Sequence, residues 1–359
     1  FVVDVSNKSN PQTLGSQSTP NAFTHNAWVS DNGDFVFTTD EQSDAYIAAY
    51  DIRNMNNIQE VDRIQSNPGS NTIPHNTHVD GNFLITSYYR DGTTVHDITY
   101  PNNMIEVAYY DSYPGSGSGF DGNWGTYPFL PSGNIISSDI NSGANQSAKL
   151  LIYERQFQQA CYLEGNVTSA NTGNNLGGAT IEILNSNIST LSNIVGDYTT
   201  GIAASGSYDV VCSAPGYISD TAILPLISGN LITHNFSLIC NGVDLLGNIS
   251  SSNGSVISNG FIRISNPLFT DELQVNGSFN FDCIPSGVYD ITFGSWGFQT
   301  ICTTQTINAS TTINLSLDPG YYDDFTFDFG WSVSGGITPS DPGRWERGNP
   351  EGTSDQGLN

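Results

Sequence analysis

The strongest constraint on this chain is a block of residues written twice. The first copy opens His25-Asn26-Ala27-Trp28-Val29 and the second His75-Asn76-Thr77-His78-Val79. Each continues through a short apolar stretch, Phe35-Val36-Phe37-Thr38 in one and Phe83-Leu84-Ile85-Thr86 in the other. Each then reaches a step centred on an aspartate, Tyr50-Asp51-Ile52 and His96-Asp97-Ile98. After that aspartate the copies keep register, with Asn57 matching Asn103 and Val61 matching Val107. The chain starts partway through a third copy, Val3-Asp4-Val5, with Asn10 and Leu14 at the same offsets. The aspartates are 47 and then 46 residues apart. A period of this length, filled with about four short strands, predicts the blades of a β-propeller.

Residues 1–19 are expected to be the last two strands of a broken blade, and 22–66 and 72–112 full blades. Residues 122–154 form a fourth, carried by Trp124-Gly125-Thr126-Tyr127-Pro128-Phe129, Ile135-Ile136-Ser137-Ser138-Asp139 and Leu150-Leu151-Ile152-Tyr153, with an enlarged hairpin over Gly143–Ala148. A closed propeller has at least about four blades, so the missing ones are expected before Phe1. Val2-Val3-Asp4-Val5-Ser6-Asn7, then Asn10-Pro11 and Leu14-Gly15, resembles the repeat named for its Leu-Val-Ile-Val-Asp motif. With Pro74-His75-Asn76-Thr77-His78 and Ser138-Asp139, the first 154 residues resemble the propeller of the bacterial choice-of-anchor B surface proteins. That resemblance implies secretion and attachment to a cell surface. It implies no established activity.

A second repeat begins at Cys161. Leu163-Glu164-Gly165-Asn166-Val167 is matched by Leu245-Leu246-Gly247-Asn248-Ile249, and Ala179-Thr180-Ile181-Glu182-Ile183 by Gly260-Phe261-Ile262-Arg263-Ile264. Gly206-Ser207-Tyr208-Asp209-Val210 is matched by Gly287-Val288-Tyr289-Asp290-Ile291. Alternating apolar residues over ~80 positions, with turns every ~8–12, predict two small immunoglobulin-like β-sandwiches. The Gly-x-Tyr-Asp step resembles the carboxypeptidase regulatory-like domain, which implies a transthyretin-like sandwich serving as spacer or folding partner. Asp323-Asp324-Phe325-Thr326-Phe327-Asp328-Phe329-Gly330-Trp331 and Gly343-Arg344-Trp345 resemble the opening of a jelly-roll accessory domain of secreted bacterial hydrolases. The expected chain is therefore all-β: partial propeller over 1–155, sandwiches over 160–239 and 240–318, and the truncated start of a jelly roll over 320–359.

Composition limits what such a chain can bind. Nine basic residues face 35 acidic ones, a net charge of −26, which repels nucleic acid and anionic membranes. No apolar run approaches the ~18 residues of a membrane span. No signal peptide is present, so the chain is expected to be a piece of a larger secreted polypeptide. Cys161, Cys212, Cys240, Cys283 and Cys302 lack zinc-site spacing, which favours disulfides in an oxidising compartment. Cys161–Cys212, and Cys240 with Cys302 or Cys283, are the candidate pairs.

The chemistry-bearing residues cluster in the first repeat. The strand opening each blade usually lines the central channel, so His25, Trp28, His75, His78, Trp124 and Tyr127 are expected near one axis. His25, His75 and His78 with Glu41, or with Asp40, would suit Zn²⁺ or another transition metal. His75 and His78 are three apart and point to opposite faces of a regular strand, so a bulge is needed to bring them together. Trp28, Trp124 and Tyr127 are the candidate ligand-binding residues. Asp31-Asn32-Gly33-Asp34 invites Ca²⁺ but equally builds a tight hairpin. Asp40, Glu41 and Asp44 offer a carboxylate pair for glycoside cleavage, against a solvated acidic hairpin. Gly115-Ser116-Gly117-Ser118-Gly119 is a Gly/Ser loop and not a nucleophile elbow. The leading expectation is a secreted or cell-surface interaction protein, its propeller binding an extracellular protein or glycan and its sandwiches acting as stalk. The alternatives are a metal-dependent enzyme and an accessory region of a secreted peptidase.

Overall fold

The structure, a computed structural model, describes residues 1–115, 117–141, 147–320 and 326–330. Its named elements are all strands, and among the described residues no helix is long and apolar enough to cross a membrane. The chain divides into two compact units, Phe1–Ser213 with Ser219–Leu238, and Ala214–Ile218 with Ile239–Asn359.

The first unit opens with the hairpin β1 (Val2–Asp4) and β2 (Gln12–Gly15). A four-stranded meander follows, β3 (Thr24–Val29), β4 (Phe35–Asp40), β5 (Ile47–Asp51) and β6 (Gln59–Ile64), paired antiparallel in chain order. The second copy of the block builds a second such meander, β7 (Thr77–Asp80), β8 (Phe83–Tyr88), β9 (Gly92–Asp97) and β10 (Ile105–Tyr110). A three-stranded sheet comes next, β11 (Gly122–Tyr127), β12 (Ile135–Ile140) and β13 (Lys149–Tyr153).

The repeated aspartate is a turn residue. Oδ1 of Asp4, Asp51 and Asp97 accepts the backbone N–H two residues on, from Ser6 at 2.8 Å, Arg53 at 3.0 Å and Thr99 at 2.8 Å. This Asx geometry reverses the chain at the end of the strand. The sheets then bury their faces on one another. Phe37, Ile47 and Ala49 meet Val79, Leu84, Tyr88 and Met104, while Ile85 and Val95 meet Ile135. Because Ala48 and Tyr50 pack with Val2 on the other side, the run Ile47-Ala48-Ala49-Tyr50 is buried residue after residue. A strand covered on both faces loses the usual alternation.

The propeller expected from the repeat is not the architecture seen. The sheets stay separate, and no ring of sheets closes among the described residues. The period encodes a meander through local pairing and turn chemistry. Closure depends on how many meanders there are and how each is angled to the next, and neither is written in the period.

The strands that follow are β14 (Cys161–Ser169), β15 (Thr180–Ile183), β16 (Ile188–Leu191), β17 (Asp197–Ile202), β18 (Gly206–Ser213), β19 (Tyr217–Ile218), β20 (Asp220–Leu226), β21 (Leu231–Thr233) and β22 (Phe236–Cys240). β17-β14-β22 make one sheet and β16-β15-β18-β20 the other. Val167, Tyr198, Phe236 and Leu238 from the first, and Ile181, Ile183, Val210, Leu224 and Leu226 from the second, are buried. This sandwich is tied to the second meander. The Ala160 N–H donates to Asp97 Oδ2 at 2.7 Å, Asn103 Nδ2 donates to the Thr200 carbonyl at 2.9 Å, and Ile105 packs with Ala160 and Tyr162.

The second unit repeats the plan with β23 (Val243–Ser251), β24 (Gly260–Asn266), β25 (Phe269–Val275), β26 (Ser278–Ile284), β27 (Gly287–Ser295), β28 (Ile301–Ile307) and β29 (Thr311–Leu317). Its sheets are β26-β23-β29 and β25-β24-β27-β28, the same order as before. In both sandwiches the first strand pairs in parallel with the last, β14 with β22 and β23 with β29. Leu245, Ile249, Phe281 and Leu317 from one sheet share a core with Ile262, Ile264, Tyr289, Ile291 and Phe293 from the other.

One disulfide joins Cys240 to Cys283 in the second unit. The pair expected between Cys161 and Cys212 does not form; both are buried free thiols, on β14 and β18, strands of different sheets. Cys302 is free and exposed. The jelly-roll start expected over 320–359 lies outside the described residues except for 320 and 326–330, where Phe327 is buried beside Phe261. The enlarged hairpin expected at 143–148 also lies mostly outside them.

Candidate functional site

The site is made by one irregularity repeated three times. In β3, Thr24 pairs with Asp40 and Asn26 with Thr39, leaving His25 as an extra residue. In β11, Asn123 pairs with Asp139 and Gly125 with Ser138, leaving Trp124 extra. Ahead of β7, the His75 N–H donates to the Ser87 carbonyl and the Ser87 N–H to the Asn76 carbonyl, so two residues again oppose one. A bulge of this kind re-aims a side chain and offsets the two-residue alternation of the strand. It supplies what the three-residue spacing of His75 and His78 requires.

Two tiers of side chains result, each with one residue from β3, from the β7 segment and from β11. The upper tier is His25, His75 and Trp124. The imidazoles of His25 and His75 stack at 4.3 Å between centroids, and His75 lies 5.7 Å from Trp124. The lower tier is Trp28, His78 and Tyr127, joined by Phe129. Trp28 is 4.7 Å from His78 and stacks on Phe129 at 5.6 Å, and Tyr127 meets Phe129 edge-on at 5.4 Å. Trp124 and Tyr127 are about half exposed, at 50% and 47%, so these rings are open to a ligand while their neighbours fix their orientation.

Glu41, just past the end of β4, closes the upper tier. Its Oε2 is 3.1 Å from His25 Nδ1 and its Oε1 is 3.5 Å from His75 Nε2. Tyr89 donates its hydroxyl to Glu41 Oε1 at 2.7 Å. His75 is held on its far side, where Nδ1 meets the Trp124 carbonyl, and the Thr39 hydroxyl bonds the His75 carbonyl. Ligand atoms of His25, Glu41 and His75 all lie within 4.8 Å of one another. Burial pushes the His75 imidazole below its usual pKa, aided by the neighbouring His25, against the pull of the Trp124 hydrogen bond and of Glu41. Burial and the Glu41 carboxylate push the Tyr89 phenol up.

The structure does not bring every candidate together. His78 sits in the lower tier among rings, its Nδ1 without a hydrogen-bond partner and its pKa lowered by burial. Asp40 is buried and accepts the Asn21 N–H at 2.7 Å, a structural role. Asp44 accepts the Gly69 N–H at 3.2 Å. Asp31–Asp34 is the β3–β4 turn, with Gly33 at a positive φ of 77° and Asn32 Nδ2 donating to Asp34. Tyr89 and Phe129 went unnoticed in the sequence as site residues. Tyr89 follows β8 as Glu41 follows β4, so aligning the two blocks strand by strand, rather than from their opening histidines, finds it.

No family model matches the chain, and no curated protein does. Among solved structures, the shaft pilin SpaA of Lactobacillus rhamnosus GG aligns with 10% identity and a TM-score of 0.27, over 45% of this chain and 98% of that one. A streptococcal ancillary pilin aligns at 10% identity and 0.21, over 63% and 80%. The minor pilin GBS52 of Streptococcus agalactiae aligns at 10% and 0.18, over 44% and 96%. All three are pilins by name, and TM-scores of 0.18 to 0.27 carry no argument about this chain. The resemblance to choice-of-anchor B proteins and their regulatory-like domains is overturned: no family model supports it, and no ring of sheets closes among the described residues.

Proposed function

We propose that this chain is an extracellular interaction protein that binds an uncharged glycan on the aromatic face of its first unit. In this reading residues 1–155 carry the face, and the sandwiches over 160–239 and 240–318 are spacers. The observation that carries it is the packed cluster of Trp28, Phe129 and Tyr127, with Tyr127, Phe129 and the upper-tier Trp124 exposed. Aromatic side chains joining a broad apolar surface to polar groups suit sites that are apolar on one side and wet on the other. Sugar rings present both surfaces, with apolar C–H faces for the rings and hydroxyls for groups such as Glu41 and Tyr89. A net charge of −26 disfavours acidic glycans. The extracellular location has its own support in the Cys240–Cys283 disulfide, a bond that persists in oxidising compartments.

Affinity electrophoresis of the full chain through gels containing neutral polysaccharides tests the reading. Retardation is expected from at least one, and Trp28→Ala or Tyr127→Ala should weaken it by about tenfold, the upper end of a single aromatic contact. Retardation unchanged in both variants, or retention only by a polyanion, refutes it.

A further inference from the structure

A separate observation concerns the upper tier. We propose that His25, Glu41 and His75 bind one divalent transition-metal ion of zinc's type, with a coordination position left open towards solvent. This does not depend on glycan binding.

The donor set is two imidazole nitrogens and one carboxylate oxygen. Bonds of about 2.0–2.1 Å in a tetrahedral site place neighbouring donors roughly 3.4 Å apart. Glu41 Oε2 is 3.1 Å from His25 Nδ1 and Glu41 Oε1 is 3.5 Å from His75 Nε2, each near such an edge but on different oxygens, and one ligand atom from each of the three residues lies within 4.8 Å of the others. A shift of one histidine towards the oxygen that the other faces gathers the three donors round one ion. His25 can make that movement, because its side chain is 34% exposed while that of His75 is 4% exposed.

The surroundings match as well. A ligating histidine usually donates its other ring N–H to a carbonyl or carboxylate, which fixes the tautomer and aims the lone pair. His75 has that arrangement, with Nδ1 on the Trp124 carbonyl and Nε2 facing Glu41. Ligating carboxylates are themselves hydrogen-bonded, and Glu41 receives the Tyr89 hydroxyl. The two stacked rings aim a nitrogen each at the one carboxylate, His25 at Oε2 and His75 at Oε1. Ca²⁺ and Mg²⁺ require mostly oxygen ligands, whereas imidazole suits Zn²⁺, Cu²⁺ and Ni²⁺. Three protein ligands at a half-open position leave a place for water or a ligand oxygen, as in zinc sites that keep an open position.

The test is equilibrium dialysis of the full chain against Zn²⁺ in excess Ca²⁺, which occupies the scattered carboxylates, followed by elemental analysis. One zinc per chain is expected. His75→Ala and Glu41→Gln should abolish it, Tyr89→Phe should weaken it about tenfold or more, and His78→Ala should leave it intact. Circular dichroism checks that each variant folds. If His75→Ala does not fold, Co²⁺ substitution of the unaltered chain decides through the visible bands of histidine-ligated, four-coordinate cobalt. Zinc no higher than the Ca²⁺-competed background, zinc unchanged in Glu41→Gln, or octahedral cobalt alone overturns the proposal.

Discussion

Glu106 and His96 face each other across β10 and β9, with His96 Nε2 3.6 Å from Glu106 Oε2. His96 is fully buried, and neither of its ring nitrogens has a hydrogen-bond partner. Burial drives both groups towards neutrality, raising Glu106 to about 7, with Asp91 adding to the rise and Ser66 opposing it, and lowering His96 to about 4. For Glu106 the folded state holds its proton more tightly than the unfolded chain, whose value is 4.5. Its contribution to stability is therefore full below pH 4.5 and is lost as pH rises through 7. The rise from 4.5 to about 7 corresponds to about 3 kcal/mol at alkaline pH. Glu106→Gln keeps the shape and removes the ionisation. It should stabilise the first unit by up to about 3 kcal/mol at pH 8 and by close to nothing at pH 4. His96 acts in both proteins and cancels in the difference. Hydrogen exchange of the β9 and β10 amides against urea, read by mass spectrometry, reports on this unit alone. A variant no more stable than the original at pH 8, or equally stabilised at both pH values, refutes the reasoning.

Other outcomes follow from the packing. Cys283→Ser should lower the stability of the second unit by about 4 kcal/mol, the chain-entropy cost of opening a loop with the 43-residue separation of Cys240 and Cys283; calorimetry with and without reductant checks it, and an unchanged transition refutes it. Alkylation of the native chain should label Cys302 and spare Cys161 and Cys212, whose thiols are buried and pushed up in pKa; peptide mapping that finds Cys212 labelled as fast as Cys302 contradicts the sandwich packing.

Much of the fold was legible because it rests on local signals. The doubled block led to the two meanders, and the matched Gly-Ser-Tyr-Asp and Gly-Val-Tyr-Asp steps led to the paired sandwiches. Ring closure was not legible, since pairing and turns act within one meander. Cysteine pairing was not legible either: Cys161 and Cys212 lie on strands of different sheets, a relation that no spacing expresses. At the candidate site, the equivalence of His25 and His75 could be read from the repeat. The bulges could not, because they appear only as one residue too many between two paired positions. Tyr89 was hidden because the second copy is two residues shorter between its opening histidine and the end of β8.

Three bulges bring His25, His75 and Trp124 together, with Glu41 beside them. Anomalous diffraction at the zinc edge, from crystals of the full chain grown with Zn²⁺, addresses this arrangement most directly. The predicted result is one strong peak within bonding distance of His25, Glu41 and His75, with the Trp124 carbonyl still bonded to His75. Zinc only at surface carboxylates, or His25 and His75 directed away from each other, would contradict it.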